Sequence, residues 1–180
     1  WQAYVLHASV FNAIITISTF FILKNFKLKT EYCFLYSLLL SILAYPSSGT
    51  PFIDHHSSFF SLLAIYSLLF AINNKRLYNW VLTPILLGLA FLSKQVPAAY
   101  IILTLGVVLL LYFFTSKKIK YIQYFLIGTF SFIIFILIFG NLQNITLSSF
   151  LDQFIFYPQT IGLSRFSNLS LSLNIAEKFV

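Results

Sequence analysis

Six apolar runs, each stopped by a short polar or proline-bearing break, constrain what this 180-residue chain can become. A hydrocarbon core about 30 Å thick is crossed by about 20 helical residues at 1.5 Å each. The first run, Tyr4 to Leu23, fits that length and is followed by Lys24, Lys27, Lys29 and then Glu31. The second, Tyr32 to Tyr45, stops at Pro46-Ser47-Ser48-Gly49-Thr50-Pro51, where two prolines and a glycine preclude a regular helix. A third opens after Asp54-His55-His56, reaches Ile72 and is closed by Asn73-Asn74-Lys75-Arg76. Trp80 to Phe114 would extend roughly 50 Å as a single helix. Ser93-Lys94-Gln95-Val96-Pro97 divides it into a short fourth helix and a fifth from about Ala98. Lys117, Lys118 and Lys120 precede the sixth run, Tyr121 to Phe139.

Composition agrees with lipid as the solvent for much of this chain. Hydrophobic residues make up 59% and charged residues 8%, against about 25% charged in a soluble domain. The expected fold is an all-α, polytopic transmembrane helical bundle of about six membrane helices over residues 1–140. Residues 141–180 are more polar and form an outward-facing segment. Net charge is +7, but the cations sit in short clusters between apolar runs rather than on a phosphate-tracking face, which argues against nucleic acid. Six alternating helices put the Lys24–Lys29, Lys75–Arg76 and Lys117–Lys120 clusters on the same side. The positive-inside rule makes that side cytoplasmic. The opposite, outer side then carries the proline-rich loop, Asp54, Lys94, Arg165 and Lys178. This layout implies a multi-pass protein of the inner (plasma) membrane. Abundant Phe, Ile, Lys and Asn are compatible with an AT-rich bacterial genome. In the last segment Phe150, Phe154 and Tyr157 fall at i, i+4, i+7. Such a helix rests either on the membrane surface or on its own bundle. The chain begins at Trp1 and contains no methionine, so it reads as an internal piece of a longer protein.

Few residues can perform acid–base chemistry. The carboxylates are Glu31, Asp54, Asp152 and Glu177, and the histidines are His7, His55 and His56. Three of these are consecutive at the outer mouth of the third helix, and an ionisable group near membrane depth is by default a functional hypothesis. Asp54 has two roles open to it: capping the helix that follows, or belonging to a polar ligand site. His55 and His56 point about 100° apart on a helix, so a metal site needs a distant partner such as Asp152 or His7. No metal ligand is assigned, although a divalent metal stays open as a cofactor. Hydrogen bonding to a phosphate or sugar hydroxyl, or plain solvation at the interface, are the other readings. Lys94, with Gln95 beside it, either snorkels to the headgroups or holds a phosphate. Cys33 is the only cysteine and lies in an apolar run, which excludes an internal disulfide and points to a small buried residue. No nucleophile elbow, Walker loop, dinucleotide fingerprint or zinc-protease helix is present.

Two stretches carry a resemblance. Leu87-Gly88-Leu89-Ala90-Phe91-Leu92-Ser93-Lys94-Gln95-Val96-Pro97 resembles the GLA-x-L-[ST]-K-G-P turn of the GT-C superfamily of membrane glycosyltransferases. That superfamily includes the protein O-mannosyltransferases and the lipid A aminoarabinose transferases. Pro51-Phe52-Ile53-Asp54-His55-His56-Ser57-Ser58-Phe59-Phe60 is similar to its segment in which an Asp opens a helix rich in Phe and Leu. Gln95 stands where that superfamily usually has Gly, and His55 and His56 are not general to it. The resemblance implies transfer of a sugar from a polyprenyl-phosphate donor to an acceptor lipid, glycan or protein at the outer face. It also implies a catalytic acidic residue upstream of Trp1, with Asp54 and Lys94 as supporting site residues; His55, His56 and Gln95 join them as candidate substrate-binding residues on their own side-chain chemistry. A transporter or flippase of lipid-linked saccharide, and a non-catalytic structural membrane subunit, are the alternative readings.

Overall fold

The computed structural model describes residues 2–44 and 53–164. The proline-rich loop, Arg165, Lys178 and Glu177 lie outside the described residues. Among the described residues every regular element is helical and none is a strand: α1 (Gln2–Asn25), α2 (Thr30–Ala44), α3 (Ile53–Asn74), α4 (Leu77–Ser93), α5 (Gln95–Ser116), α6 (Ile119–Leu142) and α7 (Leu147–Leu151).

Four of these helices, α1, α3, α5 and α6, are long and apolar enough to cross a membrane. They run to 24, 22, 22 and 24 residues. The expectation of six is met in part, because α2 has 15 residues and α4 has 17. At 1.5 Å per residue these reach about 22 and 25 Å, short of a hydrocarbon core of about 30 Å. The reason for α4 is visible in its ends: it starts after Arg76 and is cut at Lys94, where the backbone is extended.

Polar side chains inside the apolar helices are largely satisfied by their own backbone. Thr16, Thr19, Ser37, Thr83, Ser93 and Thr104 each donate a hydroxyl to the carbonyl four residues earlier, at 2.7–2.9 Å. Such local bonds let a hydroxyl sit in lipid without an orphan donor. Large apolar side chains meanwhile face outward, Leu43 at 81% exposure and Phe114 at 77% among them. A protein in water rarely tolerates so much apolar surface, whereas lipid solvates it.

The chain divides into two compact units, Trp1–Ile133 and Ile134–Val180. In the first, α3 and α4 form the most extensive helix pair. Small buried residues along one face of α3, Ser57, Ser61, Ala64 and Ala71, recur at helical spacing and let the helices approach closely. Ser57 reaches the carbonyl of Lys94 at one end and Ser67 that of Asn79 further along, so the two helices are antiparallel. α1 and α2 are antiparallel too, since Asn12 bonds Ser41 and Lys24 bonds Thr30. α1 and α3 run parallel, linked by His7–His56 near their starts and Thr19–Tyr66 further on. The core of this unit gathers Leu68, Ala71, Trp80, Leu109 and Tyr121 from α3, α4, α5 and α6. Cys33 is buried, as its sequence context predicts, and its thiol points to the carbonyl of Leu28.

These directions sort the charges within the first unit. Lys24, Lys27 and Lys29, then Lys75 and Arg76, then Lys117, Lys118 and Lys120 fall at one end, together with Glu31 in the first turn of α2. His7, Asp54, His55, His56 and Lys94 fall at the other. Lys27, Lys75 and Lys117 adopt left-handed backbone just past α1, α3 and α5, the conformation that closes a helix C-terminus. There a cation also opposes the negative end of the helix dipole.

In the second unit α6 ends as Ile145 donates back to the carbonyl of Gly140 at 2.8 Å. Thr146 caps α7 by accepting from the backbone N–H of Ser149. A π-helical turn, Asp152–Phe156, follows, and helix continues to residue 164. Phe150 and Phe154 stack at 4.7 Å as the expected stripe requires, but Tyr157 is 66% exposed and Pro158 takes the half-buried position instead. A π turn bonds i to i+5 rather than i+4, and this delays the stripe by one residue.

Candidate polar site at one end of the bundle

α3 begins at Ile53, so Asp54, His55 and His56 lie inside its first turns rather than ahead of it. That corrects the expectation of Asp54 as a cap preceding the helix. A first-turn carboxylate still opposes the positive end of the dipole, but its direct partner is a side chain: Asp54 Oδ1 forms an ion pair with Lys94 Nζ. Lys94 is the single non-helical residue between α4 and α5, with φ −157° and ψ 127°. The expected Ser93–Pro97 break is thus compressed to one position. Pro97 fits the first turn of α5, where a missing N–H leaves no helical bond unmade.

Three directions leave the start of α3. Asp54 and Ser57, one turn apart, face the α4–α5 junction: the carboxylate takes the Lys94 ammonium and the Ser57 hydroxyl donates to the Lys94 carbonyl at 3.2 Å. His56 faces α1, where its Nε2 lies 2.7 Å from His7 Nε2. One imidazole donates and the other accepts along that contact. Phe11 stands edge-on to His56 at 5.1 Å and packs on Phe59, walling the pair from below. His55 takes the third direction and lines an open cleft of about 410 Å³ with Ile15, Leu43, Ala44, Ser58 and Phe59. This cleft lies among α1, α2 and α3, on another side of α3 from the ion pair.

The five residues singled out from sequence therefore gather at one end without meeting in one cavity. Asp54 and Lys94 are joined directly; His55 and His56 diverge, as adjacent helical residues must. Gln95 opens α5, half-buried, and its side chain makes no hydrogen bond among the described residues. Among the described residues no three of His, Cys, Asp or Glu are placed to hold an ion. Zinc-type sites need three or four converging ligands, so no step is assigned to a metal. His7 is the member that sequence reasoning used least. The signal was present, since parallel α1 and α3 each carry histidine near the same end.

The ion pair also changes the reading of Lys94. Its side chain is 37% exposed and that of Asp54 is 54%, so water or headgroups reach both. Lys94 is one half of an accessible ion pair, and its ammonium keeps spare N–H donors.

No protein-family model matches this sequence, and neither the curated proteins nor the solved structures yield a match. The fold defines the class: an all-helical chain with four helices long and apolar enough to cross a membrane, compatible with a multi-pass membrane protein.

Proposed function

We propose that this chain is part of a membrane glycosyltransferase that moves a sugar from a polyprenyl-phosphate donor to an acceptor at the outer face of the membrane. In this reading all six apolar helices belong to the membrane domain, the basic loops face the cytoplasm of a bacterial cell, and Asp54 and Lys94 face outward. The observation that carries it is the Asp54–Lys94 ion pair, which joins the two stretches bearing the GT-C resemblance.

The chemistry follows from the charges. Bond formation between the acceptor oxygen and the anomeric carbon releases the acceptor proton to a base. Cleavage of the glycosyl–phosphate bond leaves negative charge on the departing phosphate. Lys94 holds its ammonium with Asp54 and retains N–H donors for that phosphate. His7 and His56, joined through their Nε2 atoms, stand at the same end as the ion pair. The base is an acidic residue that the resemblance places upstream of Trp1.

Assay of the full-length protein for sugar transfer from a polyprenyl-phosphate donor tests this. Lys94→Ala and Asp54→Asn are each expected to lower transfer at least about ten-fold, the scale of one lost charge-assisted contact. Unchanged transfer in both variants removes them from the site. Translocation of the intact donor across vesicles without bond formation replaces the transferase by a flippase. The helix break at Lys94 disfavours that outcome, because it falls at a bundle end and transporters break helices near the midplane.

A further inference from the structure

α6 has 24 residues, about 36 Å of helix, so a hydrocarbon core of about 30 Å is crossed by the time the chain reaches Leu142. Only residues 143–146 then separate α6 from α7. Four residues reach at most about 14 Å when extended, and here they turn back instead. Asn144 adopts left-handed backbone and Ile145 donates to the carbonyl of Gly140. The helix that runs from Leu147 through the π turn to residue 164 therefore starts at the membrane boundary, not out in bulk water.

That helix has two unlike sides. Phe150, Phe154 and Pro158 form its half-buried stripe. Beside the stripe, Leu147, Leu151 and Ile155 follow at i, i+4 and i+8, and Phe156 and Leu163, seven apart, extend the same flank. Leu147, Ile155, Phe156 and Leu163 are 46–65% exposed. Among the described elements α7 packs extensively only on the π turn that follows it, so the flank is left bare. The other side carries Ser148, Ser149, Asp152, Gln153 and Thr160, all exposed. Asp152 is the only charged residue between Lys120 and Arg165.

We propose that residues 147–164 form an interfacial helix, seated on the lipid surface where α6 emerges. Its Leu147, Ile155, Phe156 and Leu163 flank dips about 5–10 Å into the headgroup and acyl boundary, while the side with Asp152 faces water. The short link from α6 chooses the occupant: the bilayer is within reach of the flank from the first turn, and a soluble partner would have to displace it. The polar side forbids full insertion, because Asp152, Gln153 and their neighbours would meet hydrocarbon. With no cation between residues 147 and 164, apolar burial seats the helix and anionic headgroups add nothing. This surface is independent of the transferase reading, since it uses only residues of the second unit.

The test is collision accessibility of nitroxide labels on the full-length protein, carrying Cys33→Ala, in phosphatidylcholine vesicles. Single labels are placed through Ile155→Cys or Leu163→Cys on the flank, and through Ser148→Cys or Thr160→Cys on the polar side. Flank labels are expected to collide several-fold more with oxygen, which concentrates among acyl chains, than with a water-soluble nickel chelate. Labels on the polar side should show the reverse preference. Adding phosphatidylglycerol to the vesicles should leave the contrast unchanged. Two positions on each side preserve the comparison if thermal unfolding shows that one variant does not fold. Nickel access at both flank positions would mean that the flank faces water. Shielding of both from either reagent would mean that it packs on protein, whether its own bundle or a second copy. A contrast that appears only with phosphatidylglycerol would mean that charge seats the helix. Each of these three results overturns the proposal.

Discussion

Lys94 interrupts two helices with a single extended residue, and its ammonium, carbonyl and backbone N–H are all engaged: with Asp54, with Ser57 and with the carbonyl of Ala90. The first contact joins exposed groups, and ion pairs of that kind contribute about 0–1 kcal/mol to stability. A double-mutant cycle of Asp54→Asn and Lys94→Gln, followed by thermal unfolding, should therefore give a coupling below about 1 kcal/mol. A coupling of several kcal/mol would mean the pair is desolvated and serves the fold instead of a ligand. The sequence made Asp54 and Lys94 conspicuous because charge is scarce in apolar surroundings. It did not show that the two touch, since that depends on α3 and α4 being antiparallel neighbours. Nor did it predict that His55 would turn into a separate cleft while His56 meets His7.

Among the helices, α4 is held by glycine at two points. A Cβ on Gly128 of α6 would collide with the backbone carbonyl of Val81 and lie 2.8 Å from the Pro84 ring, and a Cβ on Gly88 would strike the Phe132 ring. Backbone cannot step aside as a side chain can, so Gly128→Leu should destabilise the bundle by about 1–3 kcal/mol or more. Gly106 in α5 has open space around it. Gly106→Ala should be neutral or stabilising by up to about 1 kcal/mol, from helix propensity alone. Equal behaviour of the two variants in thermal unfolding would contradict the α4–α6 approach. Helix positions were legible because apolar runs and Pro, Gly and Lys breaks mark them directly; the six expected runs all became helices. Their ends were less so. The expected five-residue turn at Ser93–Pro97 is one residue long because Pro97 can stand in a first helical turn. The Phe150 stripe shifted because a π turn leaves no simple sequence signature.

For the whole first unit, the order of helices and the distribution of charge support each other. Eight basic residues lie at one end, the Asp54–Lys94 pair and three histidines at the other, and exposed apolar surface runs between them. Hydrocarbon around the middle and water at both ends fits this arrangement, and in the proposed reading the basic end faces the cytoplasm. Site-directed cysteine labelling with a membrane-impermeant reagent tests this layout most directly. In a chain carrying Cys33→Ala, single cysteines at the exposed positions Val96 and Lys118 are labelled in sealed cells and again after permeabilisation. The account predicts that Val96→Cys reacts from outside and Lys118→Cys only once the membrane is opened. Labelling of both positions from the same side would contradict it.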